Sequence, residues 1–133
     1  MRVAELMQTK VRTIAPDAPI VDLVHELADA RVSGLPVVDE SAHVIGVVSA
    51  TDVLREAAGL ADPRAKSHTL ARETVRDIMT PNPRLIAPDA DARDAAKLML
   101  DADVRRLFVE DQGRLVGVIS QTDIAQAVGK GRL

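Results

Sequence analysis

The sequence predicts a mixed α/β (α+β) fold in which two β-α-β-β-α repeats pack with pseudo-two-fold symmetry. The first observation is a duplication: Val-Ala-Glu-Leu-Met at residues 3–7 returns 72 residues later as Val-Arg-Asp-Ile-Met at residues 75–79. The second is that apolar residues recur at helical spacing in one part of each copy and form short continuous runs in another. We therefore assign residues 1–59 to the first repeat, 60–73 to a surface linker and 74–133 to the second repeat.

The elements follow the same order in each copy. A β-branched stretch at Thr13 and Ile14, ended by Pro16, predicts the first strand, and Leu85 and Ile86 occupy its place in the second copy. A helix follows, with an apolar stripe formed by Ile20, Leu23, Val24 and Leu27, or by Ala92, Ala95, Ala96 and Met99. Each copy also contains two short apolar runs, which predict a hairpin. The runs are 35–38 and 44–48 in the first copy, and 107–109 and 115–119 in the second. Closing helices are expected at 51–58 and 122–128, with Gly59 and Gly129 as stops.

Composition excludes several classes of protein. The 133 residues carry a net charge of -3, which gives no electrostatic footprint for a nucleic-acid backbone. One Phe and no Trp or Tyr leave almost nothing to stack on bases. No run approaches the roughly 18 apolar residues of a membrane span, and the absence of Cys excludes disulfides. We therefore predict a cytoplasmic protein that binds neither nucleic acid nor a membrane.

A Ser-x-x-Asp motif stands at the start of each closing helix, at Ser49 and Asp52 and again at Ser120 and Asp123. The start of a helix offers free backbone N–H groups and the positive end of the helix dipole, which favour a phosphate. The carboxylate can accept both hydroxyls of a ribose. The same pattern is close to a capping box, whose loss costs about 1 kcal/mol without any ligand. Both interpretations stay open, and one side chain can serve in both.

Several doubled motifs resemble a tandem of cystathionine-β-synthase (CBS) domains from Val3 to Val128. They are the opening motifs at residues 3–7 and 75–79, the two Ile-Ala-Pro-Asp segments, Gly-Leu-Pro-Val-Val-Asp at 34–39, and the Gly-Val-Val/Ile-Ser-x-Thr-Asp motifs at 46–52 and 117–123. The resemblance implies non-catalytic, regulatory binding of adenosine-containing ligands (AMP, ADP or ATP) in clefts between the repeats. It also implies a homodimer, an effector protein of unknown identity and no required cofactor.

The resemblance also assigns roles to residues. The Ser and Thr positions contact phosphate, the Asp contacts ribose, and the backbones of the first strand and of the Leu-Pro-Val segment read adenine. In the first repeat these roles fall on Thr13, Ile14, Leu35, Pro36, Val37, Ser49, Thr51 and Asp52. In the second they fall on Leu85, Ile86, Leu107, Phe108, Val109, Ser120, Thr122 and Asp123. The residues themselves also indicate an apolar slot for adenine, lined by Ile14, Leu35 and Val37.

Other residues leave alternatives. Arg106 precedes the second Leu-Phe-Val run and either binds a phosphate or lies at a solvated strand end. The histidines, His25, His43 and His68, show no metal-ligand spacing, so we expect no metal site. No Gly-x-Ser-x-Gly elbow, P-loop or His-Glu-x-x-His occurs, so we predict that the protein is not an enzyme. The alternatives to a nucleotide sensor are a ligand-free interaction module that acts by dimerising and an accessory subunit whose site a partner completes.

Overall fold

A computed structural model of the protein describes residues 1–59 and 73–133 and confirms a mixed α/β fold. In these ranges the helices, after a 3₁₀ turn at Val3–Glu5, are α1 (Ile20–Ala30), α2 (Ala50–Ala57), α3 (Val75–Ile78), α4 (Ala92–Ala102) and α5 (Gln121–Gly129). The strands there are β1 (Gly34–Val38), β2 (Val44–Ser49), β3 (Thr80–Pro81), β4 (Leu85–Ile86), β5 (Arg106–Asp111) and β6 (Arg114–Ser120). They form two three-stranded sheets, in the orders β1-β2-β3 and β4-β5-β6.

The chain divides into two compact units whose limits differ from those of the sequence repeats. We call Arg12–Pro83 the first unit, and Met1–Val11 together with Arg84–Leu133 the second unit. Each unit therefore contains the opening segment of the other repeat, residues 75–79 in the first unit and residues 3–7 in the second. In the second unit the Val3 amide donates to the Ala90 carbonyl at 2.8 Å, and in the first the Val75 amide donates to the Ala18 carbonyl at 2.9 Å. Both valines are fully buried because these openings complete the two cores.

The first unit is built on the predicted hairpin. Strands β1 and β2 pair antiparallel, with Leu35 opposite Val48, and β3 adds to the far side of β2. The predicted first strand is reduced to a single parallel bridge between Ile14 and Val37. The core combines one face of α1 with the hairpin and the opening helix, through Ile14, Leu23, Leu27, Leu35, Val37, Val48 and Val75.

The second unit repeats this plan with a longer hairpin. Strands β5 and β6 turn at Gln112 and Gly113, whose φ angles of 53° and 78° match the left-handed two-residue turn that suits strand twist. Strand β4 lies parallel to β5. The core is formed by Val3, Ala95, Met99, Leu107, Val109 and Ile119.

Some details of the helices differ from the predictions. Val24, predicted in the apolar stripe, is 45% exposed because α1 buries only a narrow face. Gly129 lies inside α5, and Gly131, with φ of 70°, ends the turn instead. Glu73, at the end of the predicted surface linker, is buried. The rest of that linker, with its expected helical turn and His68, lies outside the described residues.

Candidate functional site

A cleft of about 580 Å³ opens in the first unit beside the end of β1. Its wall is formed by residues 13–17, residues 38–41 and Arg76. The volume lies in the range of roughly 300–1,000 Å³ that is typical of small-molecule sites. Thr13 and Ile14, which the sequence assigned to a ligand site, are therefore in the wall of a cleft large enough for a nucleotide.

Backbone hydrogen bonds hold this wall in place. The Ile14 amide donates to the Pro36 carbonyl at 3.1 Å, and the Val38 amide donates to the Ile14 carbonyl at 3.0 Å. The Arg76 amide donates to the Pro16 carbonyl at 2.8 Å. These hydrogen bonds tie each side of the cleft to the sheet or to the neighbouring segment.

The charges around the cleft are uneven. Among its described wall residues Arg76 is the one cation, against the carboxylates of Asp17, Asp39 and Glu40. Asp39 accepts hydrogen bonds from the amides of Ser41 at 2.9 Å and His43 at 3.0 Å, which fixes the turn after β1. A planar guanidinium suits a phosphate, so Arg76 is the group on this wall able to bind one.

Arg12, one residue before the cleft, is engaged elsewhere. Its guanidinium contacts Asp29 at 2.7 Å and Glu26 at 3.0 Å, both on α1. The hydrogen bonds to Asp29 and then to Glu26 raise the pKa of Arg12. We therefore do not include Arg12 in the candidate site.

Both Ser-x-x-Asp motifs form complete capping boxes. Asp52 Oδ2 accepts from the Ser49 amide at 2.8 Å and from its hydroxyl at 3.0 Å, and the Asp52 amide donates back to Ser49 Oγ at 3.3 Å. The corresponding distances at Asp123 and Ser120 are 2.8, 2.9 and 3.2 Å. The capping interpretation is confirmed, and the ligand role of the same residues stays a prediction.

The apolar strand residues do not form the expected slot. The side chains of Leu35 and Val37 are buried in the core of the first unit, which removes them from any adenine surface. The same burial holds for Pro36 in β1 and for Leu107, Phe108 and Val109 in β5. The backbones of these strands are also paired, β1 with β2 and Ile14, and β5 with β4 and β6.

The remaining predicted residues lie near the helix starts or on β4. Thr51 and Thr122 are exposed in the first turns of α2 and α5. Arg106 is exposed and lies opposite Ser120 in the β5–β6 ladder, whereas Gly34 holds the matching place opposite Ser49. Leu85 and Ile86 are half-buried and pair with Phe108 and Val109.

The structure brings together only part of the predicted site. Ile14 lies opposite Val37 and Ser49 lies opposite Gly34, so about 10 Å of strand separates the cleft residues from the cap in the first unit. Ser49, Thr51 and Asp52 do not line the 580 Å³ cleft. Arg76 lines this cleft but was not predicted, because residue 76 belongs to the second repeat of the sequence. No local pattern indicates that its amide donates to the Pro16 carbonyl in the first repeat.

The comparisons with known proteins establish the family. A model of the CBS domain matches residues 3–59 and 75–130, so the chain belongs to the CBS domain family and carries two copies of the domain. The solved structure of CBSX2 in complex with AMP is similar to this chain at a TM-score of 0.84 and 29% identity, covering 99% of this chain and 98% of that one. CBSX2 is a CBS-pair protein of Arabidopsis thaliana.

Curated relatives extend beyond this chain. The chloroplastic CBSX2 of Arabidopsis thaliana is 29% identical over 140 residues, which cover 88% of this chain. An uncharacterised protein of Methanocaldococcus jannaschii is 30% identical over 129 residues, which cover 96% of this chain. The chain spans only 58% and 42%, respectively, of the lengths of these two relatives.

Residues 1–59 and 73–133 contain neither a membrane-spanning helix nor a metal-binding cluster. No helix there is long and apolar enough to cross a membrane. No cluster of three or more His, Cys, Asp or Glu residues in those ranges is arranged to hold a metal ion.

Proposed function

We propose that this chain is a regulatory module that binds adenosine-containing ligands of the AMP, ADP or ATP type and signals their presence to an effector protein, without catalysis. The observation that carries the proposal is the cleft of about 580 Å³ at Thr13 and Ile14. The CBS resemblance assigns this segment to adenine recognition. The 29% identity to CBSX2, whose solved structure contains AMP, gives independent support.

The chemistry of the described residues suits the parts of a nucleotide. An adenine edge needs paired donors and acceptors, which the exposed Thr13 segment of the cleft wall can supply. A ribose diol needs two acceptors, which the Asp52 or Asp123 carboxylate offers. A phosphate needs a cation or free N–H donors, and Arg76 and Arg106 are exposed cations beside the cleft and the second cap.

Signalling requires a state that the ligand changes. A ligand shifts an equilibrium only by binding two states with different affinity. We infer that the states involve a homodimer packed through helices, because large apolar side chains remain on helix surfaces. Leu54 on α2 is 68% exposed, Leu100 on α4 is 77% exposed and Val128 on α5 is 56% exposed. A two-fold interface is the commonest way to cover such residues.

A thermal-shift panel tests the ligand. A ligand present at about 100 times its Kd stabilises the folded state by about 2.7 kcal/mol, which raises Tm by several degrees for a domain of this size. We expect adenosine nucleotides to give this shift and guanosine and cytidine nucleotides to give less. No shift with any adenosine compound at millimolar concentration would overturn the proposal and favour the ligand-free interaction module.

A matched pair of variants tests the cleft. Arg76→Met keeps the aliphatic stem and removes the charge, so we expect about tenfold weaker binding of AMP, measured by calorimetry, and unchanged binding of adenosine. Arg93→Met, at an exposed position on α4, is the control and should leave both affinities unchanged. Equal effects of the two substitutions would show that net charge matters and that Arg76 has no specific role.

A further inference from the structure

The two capping carboxylates differ in their hydrogen bonds. In the second unit Gln8 Nε2 donates to Asp123 Oδ1 at 3.1 Å, while Ser120 donates to Oδ2 through its amide and its hydroxyl. Both carboxylate oxygens are therefore engaged. In the first unit Ser49 likewise donates to Oδ2 of Asp52.

The position that matches Gln8 in the duplication is Thr80. The two residues play the same backbone role: each continues an opening segment along the last strand of its hairpin, Gln8 beside Val118 and Thr80 beside Val47. The Thr80 hydroxyl lies two bonds closer to the backbone than the Gln8 amide nitrogen. Among the described residues, Thr80 makes no hydrogen bond to Asp52, so Asp52 Oδ1 lacks the opening-segment donor that Asp123 Oδ1 has in Gln8.

The backbone holds Gln8 firmly in this position. The Gln8 amide donates to the Val118 carbonyl at 2.8 Å, and the Val118 amide donates back at 2.9 Å. Gly117 lies directly against it, since a Cβ added there would be 2.8 Å from the Gln8 carbonyl oxygen. Gln8 and Asp123 both lie in the wall of a small cleft of about 100 Å³.

We propose that Gln8 sets the ligand affinity of the second unit by occupying the acceptor that a ribose diol requires at Asp123. The inference rests on the proposed function. A diol donates two hydrogen bonds to one carboxylate, so it must displace the Gln8 amide from Asp123 Oδ1, whereas at Asp52 it meets no such competitor. The two units then bind adenosine ligands with unequal affinity, the first more tightly.

Calorimetric titration with AMP tests this competition in the full chain. Gln8→Met keeps the length of the side chain without its donor, and Gln8→Thr copies the first unit. Both should raise the affinity of the Asp123-dependent site about three- to tenfold, as expected for the loss of one competing hydrogen bond of ordinary strength at an exposed position. Thr80→Gln should weaken the Asp52-dependent site by a similar factor. Asp52→Asn and Asp123→Asn backgrounds assign each site.

Lys97→Met is the control, because Lys97 is exposed on α4 outside the small cleft and its substitution should leave both affinities unchanged. Unchanged or weaker AMP binding at the Asp123-dependent site in both folded Gln8 variants would refute the competition while leaving nucleotide binding in place. Two equal sites in the unsubstituted protein would also refute it. No AMP binding by any of these proteins, including the unsubstituted chain, would refute the proposed function as well.

Discussion

Replacing Asp52 by Asn separates the capping role of this carboxylate from its proposed ligand role. The charged Asp52 Oδ2 accepts two hydrogen bonds from Ser49, at 2.8 and 3.0 Å. A neutral amide oxygen keeps the shape and weakens both bonds, and the difference between charged and neutral acceptors gives a loss of about 1–2 kcal/mol of unfolding free energy. That loss lowers Tm by roughly 3–6 °C for a domain of this size. We expect AMP affinity at that site to fall by about ten- to a hundredfold in addition.

The capping box at the start of α3 supplies the control. Asp77 Oδ2 accepts from the Thr74 amide at 2.8 Å and from its hydroxyl at 3.1 Å, nearly the same geometry as at Asp52. Asp77→Asn should therefore lower Tm by a comparable amount and leave AMP affinity unchanged. Calorimetry well below both melting temperatures measures the affinities. If Asp52→Asn lowers Tm like Asp77→Asn but changes affinity less than about twofold, Asp52 is only a cap.

Three further predictions concern folding and assembly. Gly46→Ala should lower the free energy of unfolding by about 1–3 kcal/mol, because the new Cβ would lie 2.7 Å from Met79 Sδ and 2.9 Å from the Thr80 carbonyl oxygen. Gly129→Ala, with open space around the new Cβ, should leave the free energy of unfolding unchanged, and denaturant unfolding measures both. A hydrogen bond from the Arg93 amide lowers the pKa of Asp91 from its ordinary value of 3.8. The ionised Asp91 carboxylate therefore stabilises the folded state fully above pH 3.8, and this stabilisation is lost as the pH falls through the lower pKa of the folded state. Asp91→Ala should remove that acid-side slope from a Tm-versus-pH series. Leu54→Glu should convert a dimer to a folded monomer of 14.2 kDa in light scattering, and a monomer before substitution would contradict the proposed assembly.

The sequence predicted the elements that depend on local patterns. Helix α1 follows from the spacing of Ile20, Leu23 and Leu27, which are buried as expected. The hairpins follow from paired apolar runs, and the caps follow from the Ser-x-x-Asp pattern, since a cap involves residues only three positions apart. These features need no knowledge of the rest of the chain.

The features that the sequence did not predict depend on distant contacts or on unfavourable backbone. Helices α1 and α4 end at Arg31 and Asp103, with left-handed φ angles of 55° and 54°, where no glycine marks the stop. The exchange of opening segments joins residues that lie far apart in the chain. One signal was available: Gly46 and Gly117 interrupt buried strands, and such glycines often mark a close backbone approach. The opening segments make that approach, through Met79 and Met7.

Duplication alone would predict two equivalent sites, and the structure argues against that. The capping boxes agree to about 0.1 Å between the units, so the helix starts present the same N–H groups to a ligand. The differences lie around them: Arg106 adds a cation opposite Ser120 where Gly34 adds nothing, and Gln8 engages Asp123 where Thr80 leaves Asp52 open. In the proposed binding mode Gln8 hinders the ribose in the second unit, while each unit has a candidate cation for the phosphate, Arg76 in the first and Arg106 in the second. If both units bind the ligand as proposed, their unequal affinities let the duplicated module respond to two ranges of ligand concentration.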